Sequence, residues 1–257
     1  MIQAPSFARA RLVAALALLT AALAASGSSQ PDSSAPVEHA EFHFVRLAYT
    51  ASESYFQRRE RWLTDWPDAE RYLLGGLRRL TRINTASEGI FMSALDDRLF
   101  DYPWLYAVEV GGWELSEAEA ARLRDYLLRG GFLMVDDFHG SREWAGFVDS
   151  MRRVFPDRAI VDVPIDDPIF HVAYDLNERV QIPGIQFVYT GLPYEQDGFE
   201  PQWRGIYDDH GRLMVIINFN MDLGDAWEHA DVPEYALQYT TRAYQYAINY
   251  ILYAMTH

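Results

Sequence analysis

The 257-residue chain contains no cysteine. That excludes disulfides, zinc–thiolate sites, a cysteine nucleophile and a lipidated N-terminal cysteine. Positive charge is also scarce. Lys and Arg number 22 against 37 Asp and Glu, for a formal net charge of -15. A chain this acidic repels phosphate backbones, and no local basic patch offsets it, so nucleic acid is not an expected partner. Several motifs are missing as well. Gly75-Gly76 falls inside a predicted helix with no Gly-Lys-Ser/Thr after it, so it is no phosphate loop. There is no Gly-x-Ser-x-Gly elbow and no His-Glu-x-x-His. Asn218, Asn220 and Asp222 set oxygens at alternate positions as a calcium loop does, but the sixth position is Leu223 and the twelfth His229. The segment also leaves a strand, which rules out an EF-hand.

The remaining composition is that of a soluble globular protein, with 49% hydrophobic and 23% charged residues. The length suits one large domain or two small ones. The N-terminus carries an address. Arg9 and Arg11 precede an apolar run over 12–23, and Ala22-Leu23-Ala24 gives a small-x-small pattern. This order is that of a secretory signal peptide, assigned to 1–25; an uncleaved anchor is the alternative. The run is shorter than the ~20 residues a spanning helix needs. Residues 26–40 are Ser/Gly/Pro-rich at their start and read as a flexible linker. One folded domain is expected over 41–257. No second apolar span follows, so the mature protein is expected to be exported, periplasmic or secreted, without stable membrane insertion.

The folded part alternates strands and helices. Residues 42–49 read as a first strand, and Pro67 opens a helix to about Thr81. A strand fits 104–110. Ser116 to Glu119 has the capping-box pattern, and the helix it opens stops at Gly130-Gly131. Residues 132–135 form a continuous apolar strand, 142–154 a helix, and 213–217 a second continuous apolar strand. Residues 182–211 are expected to form loops and short strands. Pro233 is expected to open a last helix reaching about Met255. Unbroken apolar strands imply burial on both faces, which favours parallel strands covered by helices. The alternation predicts an open, doubly wound α/β sandwich with a mainly parallel sheet.

In such sheets, ligands bind at the carboxyl ends of the strands. Two apolar strands run straight into polar clusters there. One is Asp136, Asp137 and His139; the other is Asn220, Asp222, Asp225 and Glu228. Gly111 and Gly112, after a third strand, would let backbone amides approach a ligand closely. Asp and Asn after a strand equally serve as helix caps. Crowded carboxylates, however, repel unless a cation, a shared proton or a ligand compensates them. A divalent cation is therefore a candidate, although no cofactor motif identifies one. Of the seven histidines, His139 alone is placed on this rim, and none pair at metal-ligand spacing. Tyr235, Tyr239, Tyr246, Tyr250 and Tyr253 share a face of the last helix, which reads as a surface packed on the sheet. Arg58, Arg59 and Arg61 read as a solvated loop face.

Taken together, Asp65-Trp66-Pro67, Tyr102-Pro103-Trp104-Leu105-Tyr106 and the run 130–137 resemble the bacterial family called domain of unknown function 4159. Asp167-Pro168-Ile169-Phe170, the run 220–228 and the ending 249–254 add to the resemblance, which spans about 42–257. Asp167 departs from it, standing where a histidine is expected. The resemblance implies a flavodoxin-like, class I glutamine-amidotransferase-like three-layer sandwich, related to ThuA-like proteins. It implies that Asp136 or Asp137 holds the place of the amidotransferase cysteine, and that Asn220-x-Asp222 holds that of its His-x-Glu. Without cysteine, thiolate hydrolysis of glutamine is excluded.

Two functions stay open at this point. One is a binding or assembly protein that keeps the crevice for a small-molecule, sugar or cell-envelope ligand. The other is a hydrolase in which Asp136 or Asp137 acts as nucleophile or base, with Asp222 or Asp225 as partner or cation ligand.

Overall fold

A computed structural model describes residues 39–51 and 60–257. The expected signal peptide, most of the linker, and Arg58 and Arg59 lie outside the described residues. Seven strands form one sheet in the order β2-β1-β3-β4-β7-β6-β5. Their ranges are β1 Val45–Ala48, β2 Ile90–Ser93, β3 Trp104–Val108, β4 Phe132–Asp136, β5 Val161–Asp162, β6 Gln202–Tyr207 and β7 Leu213–Phe219. The first four and β7 run parallel. β6 is antiparallel to β7, and β5 to β6. The sheet is therefore mixed: five of its seven strands run parallel, in line with the expected mainly parallel sheet, and β5 and β6 add an antiparallel side that was not expected. Residues 132–135 and 213–217 lie in the sheet interior and pair directly, in parallel, as their unbroken apolar character implies.

β3, β4 and β7 are buried along their whole length. Alternate side chains serve two cores. On β4, Phe132 and Met134 enter one core and Leu133 and Val135 the other. The first core is closed by α1 (Asp68–Leu80), α5 (Leu223–Glu228) and α6 (Leu237–Thr256). The second is closed by α2 (Glu117–Leu128) and α3 (Gly140–Val154). Each Leu, Ile or Phe taken fully out of water contributes ~1.5–3 kcal/mol, so these two layers fix the rim that the strands share.

The local signals explain the helix ends. Ser116 Oγ accepts from the Glu119 amide at 3.3 Å, and Glu119 Oε2 accepts from the Ser116 amide at 2.9 Å, so the capping box is complete. Gly130, at φ +110°, ends α2. Three expectations shift. The third strand stops at Val108, because Glu109 turns left-handed and residues 110–112 form a 3-10 turn. The last helix starts at Leu237 and not at Pro233, since residues 229–235 make successive turns after α5. Tyr235 therefore lies off that helix and donates to the Pro183 carbonyl at 2.5 Å. Residues 182–211 hold a short helix, α4 (Gln186–Thr190), besides β6. Asp167 caps the 3-10 turn Pro168–Phe170 and accepts from the Tyr207 hydroxyl at 2.6 Å.

Candidate functional site

Three neighbouring parallel strands end side by side, and each is followed at once by a left-handed residue. Glu109 follows β3 at φ +56°, Asp137 follows β4 at +48°, and Asn220 follows β7 at +63°. Asp65, before α1, and Gln196 share this conformation. These five are the only non-glycine residues with positive φ among the described residues. Such positions cost about 1–3 kcal/mol each and persist where the surroundings enforce them. Here the turns hold one another. The Glu109 amide donates to the Asp137 carbonyl at 3.1 Å, the Asp137 amide to Met221 at 3.1 Å, and the Asn220 amide to Phe138 at 3.1 Å.

Asp136 is wholly buried. Its Oδ2 accepts from the Leu223 and Gly224 amides at 2.9 and 3.1 Å, and from the Tyr106 hydroxyl at 3.1 Å. Its Oδ1 has no hydrogen-bond partner. Burial pushes this carboxyl up to about 7, against the opposing pull of those hydrogen bonds. Asp137, its neighbour, sits 3.2 Å from His139 Nε2, which lies 3.8 Å from Glu195 Oε1. Burial first, and then the charges of Glu109, Glu195 and Asp225, raise the Asp137 carboxyl well above its ordinary value. The His139 amide is held by Glu143, whose other oxygen accepts from Gln196 at 2.7 Å.

A second group gathers at the start of α5. Asp222 Oδ1 accepts from the Asp225 amide at 2.8 Å, the cap position its sequence context suggests. Asp225 Oδ2 accepts from the Ile185 amide at 2.6 Å, and its Oδ1 lies 3.4 Å from His229 Nε2. Asp65 completes the group, with Oδ2 buried and unpartnered. Burial, followed by mutual repulsion, raises Asp65 and Asp222 well above their ordinary values. Asp225 moves the other way. Burial opposes the shift, but hydrogen bonds from His229, Asp222 and the Ile185 amide outweigh it. Glycine is required beside this group. A Cβ on Gly184 would lie 2.4 Å from Gln186 Oε1, 2.7 Å from Asp222 Oδ2 and 2.9 Å from Asp225 Oδ2.

Among the described residues, three sets of side chains bring ligand atoms within 4.8 Å of one another: Asp137, His139 and Glu195; Asp65, Asp222 and Asp225; and Asp225, Glu228 and His229. Asp136, Asp137, His139, Asp222, Asp225 and Glu228 are thus gathered around one rim. Asn220 is committed to the scaffold: its Oδ1 accepts from the Gly140 amide at 2.9 Å and its Nδ2 donates to Glu200 at 2.7 Å. Gly111 serves packing, since a Cβ there would lie 2.4 Å from the Glu143 Cβ. Gly112 is buried in the same turn.

Sequence reasoning missed Asp65, Glu109, Glu195 and His229 as rim residues. His229 corrects the statement that His139 alone reaches the rim; its spacing of four from Asp225 on a helix was the available signal. Arg61 corrects the solvated-face reading, because it pairs with the partly buried Glu109. Glu195 lies in a loop without periodicity, and nothing in the sequence marked it.

The fold and the rim define an α/β protein with a cluster of largely buried acidic side chains at its strand ends. The model of the family described as Domain of unknown function (DUF4159) matches residues 43–255, and the chain belongs to that family. No curated protein matches it.

Proposed function

We propose that the protein is an exported binding or assembly protein that uses the strand-end crevice to hold a cationic ligand. The ligand class is a small molecule, sugar or cell-envelope fragment bearing positive charge. One observation carries this reading: Asp65, Asp137 and Asp222 crowd together with their carboxyls raised by burial and mutual repulsion, which a bound cation relieves. The scaffold is read as a flavodoxin-type, amidotransferase-like sandwich. In support, the five parallel strands take the order β2-β1-β3-β4-β7. Asp137 is the left-handed residue between β4 and α3, which suits the implication of the resemblance that Asp136 or Asp137 holds the place of the amidotransferase cysteine. Export rests on the N-terminal sequence pattern. Among the described residues no helix is long and apolar enough to cross a membrane.

A hydrolase is the second reading, favoured by the Asp137–His139 contact at 3.2 Å, which suits proton transfer. Thermal shift separates the two. Amine-bearing sugars and peptidoglycan fragments should raise the melting temperature at pH 7.5, and their N-acetylated counterparts should not. Turnover of those fragments that is lost in Asp137→Asn would favour the hydrolase instead. No shift with any charged probe would refute the binding reading.

A further inference from the structure

We propose that Asp65, Asp222 and Asp225 form a site for one hard divalent cation, of the magnesium, manganese or calcium class. The inference deepens the reading of the crevice as a cation-binding site and rests on it. Of the three candidate sets, this is the one without a histidine. His139 Nε2 stands 3.2 Å from Asp137 and 3.8 Å from Glu195, and His229 Nε2 stands 3.4 Å from Asp225 and 3.9 Å from Glu228. No such group belongs to Asp65 and Asp222. Arg46 bonds Glu70 and the carbonyls of Trp62 and Thr64, and its charge eases Asp65 without outweighing burial and the neighbouring carboxylates.

A separate observation points to a ligand. Two buried carboxylate oxygens, Asp65 Oδ2 and Asp136 Oδ1, have no hydrogen-bond partner. Both carboxylates abut Gly224. A Cβ on Gly224 would lie 2.5 Å from Asp65 Oδ2, 3.0 Å from the Tyr106 hydroxyl and 3.5 Å from Asp222 Oδ1. The other oxygen of Asp136 accepts from the Gly224 amide at 3.1 Å. A buried acceptor without a partner is costly, and a cation is the partner a carboxylate takes most strongly.

The dimensions agree. Oxygens bound to one such cation at ~2.1–2.4 Å stand about 3 Å apart when adjacent and ~4.2–4.8 Å apart when opposite. The ligand atoms of Asp65, Asp222 and Asp225 lie within 4.8 Å of one another. An all-oxygen set selects hard cations over zinc or copper. These oxygens pack so closely on Gly184 and Gly224 that a Cβ at either position would collide with them.

The test is a manganese chloride titration of the chelator-treated full chain at pH 7.5, following the free-ion EPR signal. One ion should bind per chain with a dissociation constant below about 100 μM, in the range of oxygen-ligand sites. Calcium or magnesium should compete. Asp65→Asn and Asp222→Asn should each weaken binding by about tenfold or more, as loss of ligand charge does. Asp149→Asn, on the exposed side of α3, should not. Failure of the wild type to bind manganese, or equal binding by Asp65→Asn and Asp222→Asn, overturns the proposal. If those variants do not fold, the wild-type titration with its competition decides alone. Stabilisation by an amine-bearing sugar without manganese binding overturns the metal site and leaves the binding reading standing. Absence of both overturns both.

Discussion

Asp136 should make this protein more stable in mild acid than at neutral pH. Its carboxyl rises from an ordinary 3.8 to about 7 because it is wholly buried. Between those values the folded protein binds a proton that the unfolded chain does not. The stabilisation is therefore complete below about pH 4 and is lost as pH rises through about 7. At ~1.4 kcal/mol per pH unit, the loss is about 4 kcal/mol from this one group. Asp65, Asp137, Asp222 and Glu228 are raised too, and add in the same direction. So do His171 and His229, whose raised values give stability that fades as they deprotonate. The lowered carboxyls Asp96, Asp197, Asp208, Asp209 and Asp225 titrate below 3.8 and do not oppose the trend above pH 5. For a domain of this size 1 kcal/mol moves the melting temperature by ~2–4 °C. Melting in chelator-treated buffer should accordingly fall by roughly 10 °C between pH 5 and pH 8. Asp136→Asn, which cannot ionise, should come closest to wild type near pH 4 and melt several degrees higher at pH 8. A wild-type melting temperature that stays level or rises over this range refutes the reasoning, as does an unchanged slope in Asp136→Asn.

Ser116→Ala should cost ~0.5–2 kcal/mol in urea unfolding, through loss of the α2 cap, with no dependence on ligand or cation. Gly111→Ala should cost ~1–3 kcal/mol whatever is bound, because its Cβ would meet the Cβ of Glu143 at 2.4 Å; a ligand-dependent effect would reassign the glycine to the binding surface. N-terminal sequencing of secreted material should begin near Ala25, and recovery of full-length chain only from membranes would contradict export.

The sheet interior was legible because burial on both faces leaves no polar position in 132–135 or 213–217. The clusters after these strands were legible for the same reason, since a buried strand can turn polar only where it leaves the core. The antiparallel β6 was not, because Gln202–Tyr207 mixes buried and half-buried positions without a clean alternation. Asp65 and Glu195 were hidden for another reason. They reach the rim from loops, and a loop's path is set by hydrogen bonds to distant segments that no local period encodes. The capping reading of Asp222 holds through its Oδ1, while its Oδ2 is not used by the cap and stands beside Asp225.

The mutual anchoring of the three strand-end turns has a dynamic consequence. Each turn gives an amide to a carbonyl of its neighbour, so none can open without breaking a bond to an adjacent turn. The amides of Glu109, Asp137 and Asn220 should then exchange with deuterium as slowly as those of β4, although they stand outside the regular strands. A ligand of the kind proposed would meet a rim whose backbone is already held in place. Little ordering entropy remains to be lost on association, and the association rate should be governed by diffusion and charge, with no slow step for loop closure.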